Sequence, residues 1–285
     1  MALSWPQAAL LAGGLLGIGA ALRSTPRTAR LAPFAVESSF IAALYALWQL
    51  VGSLAVDTSG AYQRAAWIVR VERRWHLPNE VRAQHLISGH PLLTQLCNIY
   101  YATMHFAALF ALLVWLFVRH RARYPSVRMT IILLTAACLL IQFVPVAPPR
   151  LLAGYGFVDT AQVYGQSVYA AFGSGADQLS AMPSVHVGWA VLVGFAAVTI
   201  SRSSWRWLIT LHPLLTIFVV AATANHFWLD GIVAIALLAL ALAAQTAARS
   251  LRTTVALRRV IRRASTQASA VTATSSLAMC DTGER

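Results

Sequence analysis

The chain alternates between long apolar stretches and short polar connections in which arginine is common. A helix that crosses the hydrocarbon core of a bilayer needs about 20 mostly apolar residues. Stretches of roughly that length, with few charges, occur at 6–22, 36–56, 99–118, 129–146, 186–200, 206–224 and 228–248. The pattern predicts an all-α fold, a polytopic bundle of about seven transmembrane helices.

Segment 61–90 has a different pattern, in which arginines are mixed with tryptophans and aliphatic residues. An arginine-rich face beside Trp67 and Trp75 is typical of a helix that lies at the membrane interface, although an ordinary solvated loop helix would also fit. We divide the chain into a membrane region at 1–128 that includes interfacial segment 57–98, a core at 129–248, and a basic tail at 249–285. The tail is expected to be disordered from about Ser265.

Composition excludes a water-soluble globule, because 58% of the residues are hydrophobic and 11% are charged, against about 25% charged in soluble domains. The formal net charge of +13 comes from arginine, since the chain contains no lysine. Such a chain is expected to contact anionic membrane lipids rather than nucleic acid. The three cysteines have no paired spacing and predict neither a disulfide framework nor a metal cluster.

The arginines also predict an orientation. Most of them lie in loops 23–35, 119–128 and 201–206 and in the tail after residue 248. The positive-inside rule then places the C-terminus in the cytoplasm and the loop 147–185 outside. Loop 57–98, with five arginines, fits this orientation poorly. Abundant arginine and alanine without lysine suggest a GC-rich genome and therefore a bacterial plasma membrane. With the orientation above, the site is expected to face outward.

Asp230 is the acidic residue that attracts attention, because it begins an otherwise apolar run. An ionisable group at the edge of a membrane span is costly unless it is paired, so it indicates function. His226 lies four residues earlier and is expected on the same face of a helix. A carboxylate bonded to one ring nitrogen raises the basicity of the other, which makes an imidazole nucleophilic.

Two further segments predict an anion site. Pro183-Ser184-Val185-His186 leads into the fifth span, where free backbone N–H groups at a helix start and the Ser184 hydroxyl can bind phosphate. His186 is placed to donate a proton to a leaving oxygen. Arg150 follows three prolines at the exit of the fourth span, and its guanidinium suits phosphate. Each feature alone has a structural explanation; their order and shared side favour a site.

Asn98, Tyr101 and His105 share one face of the third span at spacings of three and seven residues. They are candidate contacts for a polar substrate headgroup, although helix–helix hydrogen bonds would explain them equally well. His212, in the sixth span, is interpreted as structural.

These motifs resemble the type-2 phosphatidic acid phosphatase superfamily, whose pattern includes Pro-Ser-Gly-His and a later His with Asp four residues beyond it. Val185 replaces the glycine, and Val219 and Val220 stand where that family has Ser-Arg. Ala147-Pro148-Pro149 and Asn225-His226 are similar to the branch of aureobasidin-resistance-type inositol phosphotransferases.

The resemblance implies roles for five residues. His226 would attack phosphorus, Asp230 would orient it, and His186 would protonate the leaving group and then activate the acceptor. Ser184 and Arg150 would hold the phosphoryl oxygens. The resemblance implies no metal or other cofactor.

The leading functional prediction is an integral-membrane lipid phosphotransferase of the inositol-phosphotransferase-like type, which moves a phospho-headgroup such as inositol phosphate between lipids through a phosphohistidine. Its substrate would be a lipid phosphate. The main alternative is a lipid phosphate or polyprenyl pyrophosphate phosphatase that uses the same residues. Paired membrane histidines could instead ligate haem, and membrane ion pairs could carry protons in a transporter.

Overall fold

The computed structural model describes residues 3–54, 59–167, 177–251 and 253–254. Within these ranges the fold is all-α, and β-type pairing is limited to one isolated bridge between Val146 and Ser180. The predicted all-α fold class is therefore confirmed. Cys280 and the tail expected to be disordered from Ser265 lie outside the described residues.

The long helices follow the predicted apolar stretches closely. They are α1 (Trp5–Leu22), α2 (Ala32–Leu54), α5 (Pro91–Arg119), α6 (Tyr124–Gln142), α8 (Val185–Ile200), α9 (Leu211–Ala222) and α10 (Trp228–Leu251). Shorter helices are α3 (Ala61–Arg74), α4 (Glu80–Ser88) and the single turn α7 (Thr160–Val163). A 3-10 helix at Ser204–Thr210 precedes α9.

Five helical segments in the described ranges are long and apolar enough to cross a membrane. They are Trp5–Leu22, Pro91–Arg119, Tyr124–Gln142, Ser204–Ala222 and Trp228–Leu251. Helix α8 is apolar but shorter, and α2 is long but is not among those five. The chain is therefore a helical membrane protein, while the number seven and the orientation stay predictions.

Segment 61–90 forms two helices instead of one. The break falls at His76, whose φ of 56° is left-handed, and is followed by Pro78 and by Asn79, which accepts a hydrogen bond from the Val81 N–H group. The outer surface keeps the expected character, since Trp67 and Trp75 are more than half exposed. The opposite side is buried, so these helices also form part of the core.

The compact unit Met1–Ala239 contains the core of the protein, and Leu240–Arg285 forms a second unit. In the first unit, α8 packs against α5, α6 and α9, while α4 packs against α5 and α9. Helices α1 and α2 pack mainly on each other, and α2 also contacts α6. The centre of the unit is thus built by α4, α5, α6, α8 and α9.

A substitution at Leu134 of α6 tests the packing of α6 against α8. Its side chain is fully buried and lies so close to Gly188 of α8 that a Cβ atom added there would be 3.2 Å from Leu134 Cδ2. Leu134→Ala is expected to leave a cavity that costs about 2–5 kcal/mol of unfolding free energy, seen as a lower melting temperature in detergent. The matched control is Leu133→Ala, whose side chain is 37% exposed. Equal melting temperatures for the two variants would contradict the packing.

Candidate active site

Backbone hydrogen bonds between three loops build the frame of the site. The Val146 N–H group donates to Leu179 O at 2.7 Å, and the Ala181 N–H group donates to Val146 O at 3.1 Å. The Arg150 N–H group donates to Ala224 O at 2.9 Å. The loop after α6 is thereby joined both to the segment before α8 and to the turn after α9, and the three sequence motifs meet.

His226 lies in this turn and not in a helix. Helix α9 ends at Ala222, Ala224 adopts a left-handed φ of 52°, and the His226 N–H group donates to Val220 O at 3.2 Å. Helix α10 begins two residues later, at Trp228. The prediction that His226 and Asp230 share one helix face is therefore wrong for His226, because the left-handed residue ends the regular hydrogen bonding.

The His226 ring is nevertheless held in one orientation. Nδ1 lies 2.7 Å from Ala181 O and 3.4 Å from Asp230 Oδ2. A backbone carbonyl oxygen only accepts hydrogen bonds, so Nδ1 carries the proton and donates it. Nε2 then keeps its lone pair, and it is buried without a hydrogen-bond partner among the described residues. This tautomer leaves Nε2 as the nucleophilic nitrogen.

Asp230 joins the starts of two helices. Its side chain is fully buried, and Oδ2 accepts a hydrogen bond from the Phe227 N–H group at 2.9 Å. Its backbone carbonyl accepts from the Ser184 N–H group at 3.1 Å. Asp230 therefore fixes the first turn of α10 beside the His226 ring and also positions the start of α8.

His186 stands beside His226, with 5.4 Å between the two ring centroids. Tyr101 stacks on the His186 ring at 4.4 Å, and His105 meets the same ring edge-on at 4.2 Å. The predicted face of the third span thus contributes two aromatic side chains to the surroundings of His186. These contacts hold the second histidine close enough to exchange a proton with a group bound at the first.

Ser184 is fully buried at the start of α8. Its hydroxyl oxygen accepts a hydrogen bond from the Val187 N–H group at 3.4 Å, which is the usual role of a residue that precedes a helix. The Ser184 hydroxyl hydrogen can still be donated to an anion. Its backbone N–H group is bonded to Asp230 O, so this N–H group at the helix start is not open to phosphate.

Arg150 is held on two sides by protein groups. Nε donates to Asp159 Oδ2 at 3.1 Å, and Nη1 donates to Asn225 Oδ1 at 3.1 Å. The Arg150 side chain is only 3% exposed. These bonds place the guanidinium next to the residue that precedes His226, and the Asp159 carboxylate offsets part of its charge. Sequence reasoning did not single out Asp159.

Asn98 has partners away from the histidines. Its amide nitrogen donates to Gln166 Oε1 at 3.0 Å, and its amide oxygen accepts from the Thr160 hydroxyl at 3.0 Å. These bonds join α5 to the loop around α7. A substrate contact by Asn98 stays a prediction, whereas the structure gives the residue a structural role.

Two carboxyl groups at the site were missed by sequence reasoning. Glu72 Oε1 accepts from the Leu229 N–H group at 2.7 Å, and Glu80 Oε1 accepts from the Trp228 N–H group at 3.3 Å. Both side chains are buried. The sequence contained one indication that Glu72 is buried. At helical spacing, Glu72 continues the apolar stripe of α3 formed by Ala61, Ala65, Ile68 and Val69.

The space beside the histidines is small. A cavity of about 10 Å³, just large enough for roughly one water molecule, is lined by Tyr100, Tyr101, His105, His186, Thr216, Val219 and Val220. Within the described ranges, no three His, Cys, Asp or Glu residues are grouped to bind a metal ion.

The fold and the site together define a helical membrane protein with two neighbouring histidines, a buried aspartate and a buried arginine. The family model described as the PAP2 superfamily matches residues 66–244. The match covers more than half of the chain, and the protein belongs to this superfamily. The matched region begins within α3, well before residue 129. No curated protein and no solved structure matches the chain.

Members of the superfamily are phosphatases and phosphotransferases, so membership supports an enzyme of that type. It does not confirm the aureobasidin-resistance-type branch. It also favours phosphate chemistry over the haem and transporter alternatives.

The Asp230→Asn substitution removes the negative charge of the side chain and keeps an oxygen that can accept a hydrogen bond. The Asn oxygen can still accept from the Phe227 N–H group, but a neutral amide stabilises a positively charged imidazole poorly. Turnover of a lipid phosphate ester in detergent is expected to fall by about 10²- to 10⁴-fold, with little change in melting temperature. Wild-type turnover in this variant would show that the carboxylate charge is not used.

Proposed function

We propose that this protein is a membrane-embedded phosphotransferase that moves a phospho-headgroup, such as inositol phosphate, from one lipid to another through a phosphohistidine at His226. The observation that carries the proposal is the 2.7 Å hydrogen bond from His226 Nδ1 to Ala181 O. It keeps the proton on Nδ1 and leaves the Nε2 lone pair for attack on phosphorus.

In the first step, Nε2 of His226 forms a bond to phosphorus while the bond from phosphorus to the leaving alcohol oxygen breaks. His186, which starts the cycle protonated, gives that oxygen its proton and becomes neutral. In the second step, an acceptor alcohol loses its proton to His186 and attacks phosphorus, and the P–N bond breaks. His226 and His186 return to their starting states, so the cycle is balanced in protons and electrons.

Asp230 stabilises the positive charge that the His226 ring gains in the first step, because its carboxylate lies 3.4 Å from Nδ1. Arg150 and the Ser184 hydroxyl are the proposed donors to the phosphoryl oxygens, since charge-assisted bonds from a guanidinium favour them strongly. Tyr101 and His105 would contact the bound headgroup through the side of the site that they share with His186.

The charge around Arg150 supports a substrate of low charge. Asp159 pairs with the guanidinium at 3.1 Å, and Val219 and Val220 occupy the positions where the resemblance would place Ser-Arg. A phosphodiester carries one negative charge at neutral pH, whereas a phosphomonoester approaches two. A site with one partly neutralised arginine in its loops suits the phosphodiester better, which favours transfer of a phospho-headgroup.

Hydrolysis of a lipid phosphate is the second candidate, because the superfamily includes phosphatases. It would use the same first step, with water in place of the acceptor alcohol. The two reactions differ only in what resolves the phosphohistidine.

The intermediate can be trapped directly. Rapid quenching of wild-type enzyme with substrate labelled in the phosphoryl group is expected to give an acid-labile, alkali-stable labelled protein. His226→Ala should give none, because the nucleophile is gone, and should lose about 10⁶-fold in turnover. His186→Ala should also turn over slowly because the leaving oxygen has no proton donor. Full labelling of His226→Ala would place the phosphoryl group on another residue and overturn the mechanism.

Product analysis distinguishes transfer from hydrolysis. Purified enzyme is incubated with phosphatidylinositol in mixed micelles, with and without the lipid alcohol ceramide, and products are measured by mass spectrometry. A transferase is expected to form a new phosphoinositol lipid only when the alcohol is added. Release of free phosphate or inositol phosphate at one rate in both cases would support the hydrolase instead.

A further inference from the structure

The first turn of α10 is held by three carboxyl groups that come from three helices. Asp230 of α10 accepts from the Phe227 N–H group, Glu80 of α4 accepts from Trp228, and Glu72 of α3 accepts from Leu229. Backbone N–H groups at a helix start have no partner within the helix. Here consecutive donors are each satisfied by an acidic side chain, immediately after the nucleophilic histidine.

The helices that carry Glu72 and Glu80 are connected to the catalytic histidine through this turn. Glu72 is 3% exposed and Glu80 is 5% exposed, so the carboxyl groups are shielded from water. The ionisable groups that face Glu72 are Glu80 from α4 and Asp230 from α10, both of them acidic. Among the described residues, neither Glu72 nor Glu80 forms an ion pair with a cation.

Buried carboxylates repel one another strongly when no cation lies between them, and one shared proton removes most of the cost. Burial, together with hydrogen bonding and charge from Glu80, raises the pKa of Glu72 to about 9. At neutral pH the Glu72 carboxyl is therefore protonated. Oε1 can then accept from the Leu229 N–H group. Oε2 is buried and has no donor among the described residues, so a proton carried there can be donated to the Glu80 carboxylate.

We propose that Glu72 and Glu80 are positioning residues for phosphoryl transfer, and that as a pair sharing one proton they hold the first turn of α10 so that Asp230 stays against the His226 ring. The inference rests on the proposed function, because it assumes that His226 is the nucleophile. Segment 61–90 would then help to position the catalytic groups, in addition to any contact with the membrane surface.

The position of the pair explains how it would act on the reaction without touching substrate. His226 lies only two residues before the start of α10, so a shift of that turn moves both the ring and the Asp230 carboxylate. Misplacement of a reacting group by about 1 Å can cost roughly 10²-fold in rate. A loosened turn should therefore lower kcat, because the nucleophile and the carboxylate that orients it would both be displaced.

Two substitutions at Glu72 test the proposal. In Glu72→Gln the amide oxygen can accept from Leu229 and the amide nitrogen can donate to Glu80, which copies the protonated carboxyl at every pH. In Glu72→Leu both bonds are lost in a side chain of similar size. The matched control is Glu37→Gln in α2, a glutamate that pairs with Arg128 outside the site.

At neutral pH, Glu72→Leu is expected to lose about 10²-fold in kcat, while Glu72→Gln keeps turnover of the same order as wild type. Wild-type kcat should fall as pH rises through about 9, because the pair loses its proton and the carboxylates repel. That alkaline fall should be absent from Glu72→Gln and present in Glu37→Gln. Wild-type kcat in Glu72→Leu, or the same alkaline fall in Glu72→Gln as in wild type, would overturn the proposal.

Melting temperature in detergent provides a readout that does not need activity. The folded-state pKa of Glu72 lies above its ordinary value of 4.5, so folding takes up a proton and this stabilisation is lost as pH rises from that value to about 9. The wild-type melting temperature should fall over that range relative to Glu72→Gln. Parallel curves would show that no shared proton exists.

The two proposals can fail separately. If wild type forms no phosphohistidine but its melting temperature still falls relative to Glu72→Gln, the proposed function is wrong and the proton-sharing pair stands. If wild type forms phosphohistidine and the curves are parallel, the proposed function stands and the pair does not.

Discussion

The hydrogen bond from His226 Nδ1 to Ala181 O is the interaction on which the site depends. An imidazole presents a nucleophilic nitrogen only when its proton is kept on the other nitrogen, and a carbonyl oxygen enforces that choice. The bond exists because Val146 pairs with the segment around Ala181 and because a left-handed Ala224 turns the chain before α10. Loops with unrelated sequences thus together fix one tautomer of the His226 ring.

The start of α10 shows a second use of the same principle. The positive end of a helix often binds a phosphate group, but here protein carboxyl groups occupy it. In the proposed mechanism the helix start therefore orients the nucleophile, and the Arg150 guanidinium and the Ser184 hydroxyl are the donors to the phosphoryl group.

The sequence was sufficient to predict the long helices, because the thickness of a bilayer sets their length and apolar character. His226, Asp230, His186 and Arg150 were also found, since ionisable residues near apolar runs are rare. Glu72 and Glu80 were missed because arginines surround them in the sequence, and their partners are about 150 residues away, at the start of α10. The end of the helix before His226 was missed because alanine rarely takes a left-handed conformation.

The hydrogen-bond acceptor at Ala181 is a main-chain carbonyl oxygen, so a mutation of this residue does not remove the acceptor. Replacing the residue at 181 alters the size of a methyl group that is 3% exposed, but every amino acid brings the same carbonyl oxygen. A larger residue substituted at 181 would therefore test the packing at this position, and it would not test the role of the carbonyl oxygen in setting the tautomer. Selection can act on the bond only through the neighbours that keep this stretch of backbone in place.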